Sequence, residues 1–565
     1  MDKKQLLAGY ENMILVHHED LVKSPDLVPW DDLPNRAIPG VLKADFHVDG
    51  KLMQLYTKQE NHVGIIAATR QGKTTSYIVP QILSFARQKV KRPMIITDPK
   101  GEIYRITAKT LEEQGYKVLL LNFRDYKKSE CWNPFRKIYR SYLESKNLED
   151  EVEAIFEDGR YKCRFNGEIF TDQAELDSAI EAKRYFMESE VAAMIDDLAA
   201  IFIPLASKEP IWDYGGRDIF KGVLWGLLED IDYPVNPVTE DKFSLSTVLT
   251  VIENIIGDLN GANGSEGFFT RRDIYTSRAY TCVKSTLFIA AKTTRDSYVT
   301  TLRSSLGQYY EISTRMITSC NSFDIRDYAD GKTPVAVFID FRDELKNQYV
   351  TIARFVQDMY KTLIEEANKY DTGKLPVPWY FVLDEFGNFP EIPDFETVIS
   401  ACAGRNIWFM LVLQSYAQLA CIYNRDGADR AKIIRDNMNV TVFFGSNNLM
   451  TIKEFSEECG ECTRIAPNSA MSGTTPHLTS IEIEKRPLVP KSMLAAIKPG
   501  ECVIREVCND QVWFTKLERY YAMPEMNALP KADAKEYVPA CNPMQLKYRY
   551  EFYVKSHKEE EEDDD

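Results

Sequence analysis

Seven short runs of continuous apolar, often β-branched residues, each closed by a polar or glycine-rich turn, constrain this chain more than any other feature. They lie at residues 63–67, 94–97, 118–121, 335–339, 380–383, 407–413 and 440–444. Runs of this length without polar alternation fit strands buried on both faces, which requires a mostly parallel sheet covered by helices. Between about 140 and 330 the strand signal fades. There Val191, Met194, Ile195, Leu198, Ile201 and Phe202 keep the i, i+3, i+4, i+7 spacing of a helix that Pro204 ends, and Ile219, Phe220, Val223, Leu224 and Leu227 repeat it. The expected fold class is therefore α/β, with a mostly α-helical domain inserted into it. The boundaries read as an N-terminal segment 1–62, α/β parts at 63–145 and 331–525, an insert at 146–330, and a C-terminal extension at 526–565. Residues 162–170 fit a small hairpin in an otherwise weakly patterned stretch, 149–188; short strands are expected at 502–504 and 512–514.

Composition narrows the function classes. With 565 residues, 44% of them apolar, the chain can fill a sizeable core. Its net charge of −16 excludes a protein that coats duplex DNA over its whole surface, since such binding rests on neutralising phosphates. Seven of the negative charges sit in residues 559–565, which read as a disordered, solubilising end, with a docking tail for a basic partner as the alternative. Among 11 cysteines only Cys459 and Cys462 form a C-x-x-C pair, and no second pair completes a zinc ribbon. Reduced thiols in a cytoplasm are expected. No stretch approaches the roughly 20 apolar residues of a membrane span, and the residues from Met1 lead into no apolar segment resembling a signal peptide.

Two motifs carry chemistry. Ala67-Ala68-Thr69-Arg70-Gln71-Gly72-Lys73-Thr74 follows one apolar run and precedes a helical pattern at 75–83, the context that a phosphate-binding loop requires. Alanine stands at the first position, where glycine is usual. Gly72 lets the backbone curl so that N–H groups of Thr69, Arg70, Gln71, Gly72, Lys73, Thr74 and Thr75 point at phosphate oxygens. Lys73 is the candidate for the terminal phosphates of ATP and Thr74 for Mg²⁺. Farther along, the run ending at Leu383 delivers Asp384 and Glu385. A carboxylate to hold Mg²⁺ and a second to orient or deprotonate water are what ATP hydrolysis needs. Gln414 follows the 407–413 run and is placed to sense the terminal phosphate or the water. Arg405, just before that run, is the candidate arginine finger toward a neighbouring subunit; an ordinary surface arginine is the competing reading.

Together these blocks resemble the TraG/TraD-like coupling proteins of conjugative type IV secretion. Besides the loop, the similarity rests on Asp98-Pro99-Lys100-Gly101-Glu102, residues 115–121, Trp132-Asn133-Pro134, Asp384-Glu385-Phe386-Gly387-Asn388, Gly404-Arg405-Asn406, residues 414–419 and 437–445, Gly460 with Thr463, and residues 485–488. The resemblance implies a RecA-like P-loop ATPase domain with an all-α domain inserted in it, and a hexameric ring. It also implies movement of single-stranded DNA with its relaxase toward a channel. Family members usually carry N-terminal transmembrane helices, and the first 62 residues show none. Docking on a separate membrane subunit, at the inner face of the membrane, is then expected.

Residues 271–315 reverse the local charge, with eight basic side chains against three acids and interleaved tyrosines. Arg271, Arg272, Arg278, Lys284 and Arg295 are the candidates for single-stranded DNA, against the alternative of a solvated helix face. Two other functions share the ATPase motifs: a double-strand DNA translocase of the FtsK or HerA kind, and a scaffold that binds nucleotide without motor activity.

Overall fold

The apolar runs become strands of one ten-stranded sheet in the computed structural model of the chain. The structure describes residues 14–155, 160–205, 209–234, 237–260, 267–424, 427–472 and 475–540. In chain order the strands are β1 (Ile14–His17), β2 (Val63–Ala67), β3 (Met94–Asp98), β4 (Lys117–Asn122), β5 (Val335–Asp340), β6 (Trp379–Leu383), β7 (Ile407–Leu413), β8 (Val440–Gly445), β9 (Glu501–Glu506) and β10 (Gln511–Lys516). Their spatial order is β1-β10-β9-β8-β2-β7-β6-β3-β5-β4. From β8 through β2, β7, β6 and β3 to β5 the pairings are parallel, and β9 is antiparallel to both its neighbours. All residues of β2, β3, β5, β6 and β8 are buried, because helices cover both faces. Each Ile, Val or Leu side chain so enclosed contributes about 1.5–3 kcal/mol of transfer free energy. This is the expected mostly parallel, helix-covered α/β architecture.

Two features of the N-terminal segment escaped the periodicity reading. β1 adds a parallel edge strand beside β10, and Val28–Pro29, Leu42–Val48 and Lys51–Tyr56 make a separate antiparallel sheet. Both lie within the segment read only as a lead-in.

By contacts the chain forms two units. Among the described residues, the first takes in Ile14–Leu120 together with Asp324–Glu344 and Val356–Tyr537; the second takes in Leu121–Phe323, Leu345–Phe355 and Val538–Ala540. The second unit is chiefly helical, with Gln173–Phe202, Ile211–Glu229, Leu245–Leu259 and Lys292–Leu306 around a core that includes Val191, Ile195, Leu198, Ile219, Phe220, Val223 and Leu227. Phe202 stacks on Phe220 at 5.5 Å between ring centroids and lies against Tyr309 at 4.6 Å. The small hairpin is present as Arg160–Cys163 paired with Ile169–Phe170, and Val152–Ile155 extends it to three strands. No helix among the described residues is long and apolar enough to cross a membrane. The acidic run 559–565 lies outside the described residues.

Candidate active site

Parallel strands carry their loops of one type to one edge of the sheet, and here the C-terminal ends of β2, β6 and β7 bring the two motifs together. After β2 the chain turns through Arg70 and Gly72, both at positive φ (67° and 97°). It then enters a π-helical turn, Lys73–Ile78, that runs into the α-helix Val79–Arg87. At φ near +97° a side chain would be strained, so glycine is required at position 72. The first N–H groups of the helical turn have no partner within it and face out of its N-terminal end. The loop is braced by Ala68 N–H donating to the Gly445 carbonyl at 2.8 Å and Gly500 N–H donating to the Gln71 carbonyl at 3.3 Å.

Lys73 and the acidic pair, 312 residues apart in sequence for Glu385, meet directly. Lys73 Nζ lies 2.6 Å from Glu385 Oε1 and 2.7 Å from Asp384 Oδ1, with side-chain exposures of 14%, 14% and 8%. Burial by itself would lower the lysine's pKa, but the two carboxylates outweigh it and the ammonium is held above its ordinary range. Burial raises Asp384, with Lys73 opposing. Glu385 adopts a left-handed backbone (φ 56°, ψ 33°), an uncommon state for a non-glycine residue that turns its carboxylate across the strand ends. Its Oε2 accepts from Gln414 Nε2 at 3.3 Å and from Asn388 Nδ2 at 3.4 Å. Gln414 is fixed in turn, its N–H donating to Gln418 Oε1 at 2.9 Å and its carbonyl accepting from Ser446 Oγ at 2.8 Å.

A cavity of about 450 Å³ opens here, lined by Ala67, Thr69, Arg70, Lys73, Lys100, Glu385 and Gln414. The chemistry of its walls suits a polyphosphate with a divalent cation. Backbone donors and cations come from the loop, and the carboxylate of Asp384, 2.7 Å from Lys73 Nζ, and the hydroxyl of Thr74, the next residue along the chain, are the groups that would serve a metal. Beside it, Asp98 at the end of β3 is pushed up to about 7, chiefly by burial and further by Asp340 and Asp384. Asp340 went unnoticed in the sequence, although it too closes an apolar run.

Other expected site residues lie elsewhere. Arg405 precedes β7 and so sits at the opposite edge of the sheet from Gln414, roughly 20 Å away over seven residues of strand. Its Nη1 donates to the Ala401 carbonyl at 3.0 Å. It cannot reach Lys73 of its own chain. The basic stretch of the helical unit is largely paired within its own chain. Arg271 and Arg272 are largely buried (15% and 6% exposed) and bound to Asp230 at 2.5 and 2.9 Å, Arg272 also to Glu229 at 3.1 Å. Guanidiniums neutralised in this way offer no free charge to a phosphate backbone. Arg278 is paired with Glu188 and Arg295 with Asp296. Of the five candidates, Lys284 alone makes no ion pair among the described residues, and it is exposed.

Comparison with known proteins bears on the same regions. The family described as type IV secretory system, conjugative DNA transfer, matches residues 20–536. The conjugal transfer protein TraG of Escherichia coli is 22% identical over 437 residues, covering 75% of this chain and 59% of the relative. VirD4 of Rhizobium rhizogenes is 21% identical over 420 residues, covering 73% and 51%. The chain thus spans little more than half the length of these relatives. Among solved structures, the plasmid coupling protein TrwB in complex with the ATP analogue ADPNP shares the fold, with a TM-score of 0.52 at 12% identity, covering 87% of this chain and 92% of that one. TrwB in complex with ADP and Mg²⁺ gives 0.52 at 13%, covering 87% and 93%.

Proposed function

The chain belongs to the type IV secretory system conjugative DNA transfer family, and from that premise we propose that it is a P-loop ATPase acting as a coupling protein. In this reading it drives single-stranded DNA with its relaxase into a secretion channel, as a homohexamer docked on a membrane subunit of that channel. The observation that carries the ATPase part is the meeting of Lys73 with Asp384 and Glu385 at one cavity. The TrwB complexes with ADPNP and with ADP and Mg²⁺ support nucleotide and metal in a fold of this kind.

The bound Mg²⁺–ATP supplies the phosphoanhydride whose hydrolysis releases the driving energy. The chain's residues then divide the work. N–H groups of residues 69–75 bind phosphate oxygens, and Thr74 and Asp384 hold Mg²⁺. Lys73 exchanges its carboxylate partners for the terminal phosphates. Glu385, released from the lysine but still held by Asn388 and Gln414, takes the proton of the attacking water at Oε1. Because Arg405 stands at the far edge of its own sheet, its place in this scheme is toward the site of an adjacent copy.

The test is phosphate release by the full chain with and without single-stranded DNA, alongside its mass in solution. Hydrolysis that rises with single strands and accompanies assembly is expected. Stimulation by duplex alone would replace the proposal with a double-strand translocase. An absence of phosphate release in wild type would leave a nucleotide-binding scaffold.

A further inference from the structure

Lys100 is a cation at the cavity whose charge nothing in the scheme above uses. Its position follows from register. In the β6–β3 pairing Leu383 is opposite Thr97, which brings Asp98 level with Asp384 and the turn after it level with Glu385. Adjacent strands lie about 4.8 Å apart, so Lys100 rises beside Glu385, on the side away from β7 and β2. It lines the same cavity as Lys73, Glu385 and Gln414.

The turn that carries Lys100 is rigid. Asp98 Oδ1 accepts from Glu102 N–H at 3.0 Å and Oδ2 from Tyr104 N–H at 2.8 Å, while Gly101 N–H donates to the Asp98 carbonyl at 3.2 Å. Gly101 has φ +65°, and a Cβ there would lie 3.1 Å from the Asp340 carboxylate, so the turn is closed on both sides. From this fixed backbone Lys100 projects an exposed side chain that makes no ion pair among the described residues.

Charge decides its use. Lys73 faces two carboxylates, so its own charge is already matched before any phosphate arrives. A triphosphate carries more charge than one Mg²⁺ offsets, and further cations are needed. Arg70 on the loop approaches from the β2 side. Lys100 approaches beside Glu385, the residue that would meet the attacking water in that reading, so the phosphate it would face is the terminal one.

Building on the nucleotide reading, we infer that Lys100 is a second cation supplied by the same chain to the terminal phosphate, by which the site distinguishes triphosphate from diphosphate. The test is calorimetric titration of the full chain with ADPNP and with ADP, each with Mg²⁺, for wild type, Lys100→Met, Lys100→Arg and Lys73→Ala. Loss of one charge-assisted contact predicts a tenfold to hundredfold fall, approximately, in ADPNP affinity for Lys100→Met. ADP affinity should stay within about twofold, and Lys100→Arg should retain most of the preference. Lys73→Ala should weaken both ligands. If Lys100→Met leaves the ratio of the two affinities unchanged while wild type binds both, the inference fails and the nucleotide reading stands. If wild type binds neither ligand, both fail.

Discussion

Two cavities of this protein are lined by opposite charges, and they differ in what those charges have left to do. The one in the helical unit, about 590 Å³, is walled by Arg271, Arg272, Arg278, Glu188, Glu229 and Asp230 among others. There every guanidinium is paired with a carboxylate and rests on a ring: Arg271 over Tyr233 at 4.2 Å, Arg272 over Phe268 at 4.6 Å, Arg278 over Trp225 at 4.8 Å. Glu229 also accepts from Ser277 Oγ and from Ala279 N–H. At the strand ends of the first unit, Lys73 has its carboxylates too, yet Arg70 and Lys100 stand beside it without ion pairs among the described residues. Exposed cations without carboxylate partners leave charge for a ligand to meet, whereas cations saturated by buried carboxylates hold the fold.

The contrast can be broken at several points. The largest effect is expected for Lys73→Ala, which should reduce phosphate release by at least about a thousandfold while leaving the circular dichroism spectrum unchanged. A loss below tenfold would remove the distinction between the cavities. Glu385→Gln should slow single-turnover hydrolysis by about a hundredfold or more. It should still bind ADPNP, as seen by calorimetry, because the amide keeps the shape and loses only the base.

Arg272→Ala should behave in the opposite way. Leaving Asp230 and Glu229 without this partner costs about 3 kcal/mol, read as a lower denaturation midpoint. Affinity of the folded variant for single-stranded DNA should not change; a fall in affinity at unchanged stability would restore Arg272 as a DNA contact.

The smallest expected effect concerns His62, buried at the start of β2, where Nδ1 accepts the Phe409 N–H at 3.0 Å. Burial lowers its pKa to about 4 from an ordinary 6.5. The folded state therefore binds fewer protons than the unfolded one. Its contribution is complete above pH 6.5 and is lost as pH falls toward 4, amounting to about 2 kcal/mol by pH 5. Denaturant titrations between pH 8 and pH 5 should show a shallower decline for His62→Gln than for wild type.

Much of the fold was legible because its determinants are local. Residues 63–67 and 407–413 are the strands β2 and β7 to the residue, since a parallel strand buried on both faces has no room for polar alternation. The helix carrying the Val191 stripe was legible only in its second half. It begins at Gln173, where the side chain of Asp172 caps it by accepting from Ala174 and Glu175 N–H, while its first turns carry few apolar residues to reveal them. β1 was missed because four residues at an edge leave almost no pattern. In the site, the loop and acidic pair were visible as motifs, and Asn388 stood in the quoted block without a role, but Asp340 was not singled out, being a single acid at a strand end.

By itself the sequence determined which segments become strands and helices and which side chains stand at strand ends, because apolar periodicity and turn chemistry act over a few residues. Only the tertiary structure decided that Lys73 lies 2.6 Å from a carboxylate 312 residues away, that Arg271 and Arg272 are neutralised, and that Arg405 is at the wrong edge to serve its own chain. Electrostatic pairing depends on distance and burial, and both are set by which strands become neighbours. A string of residue types does not contain that adjacency.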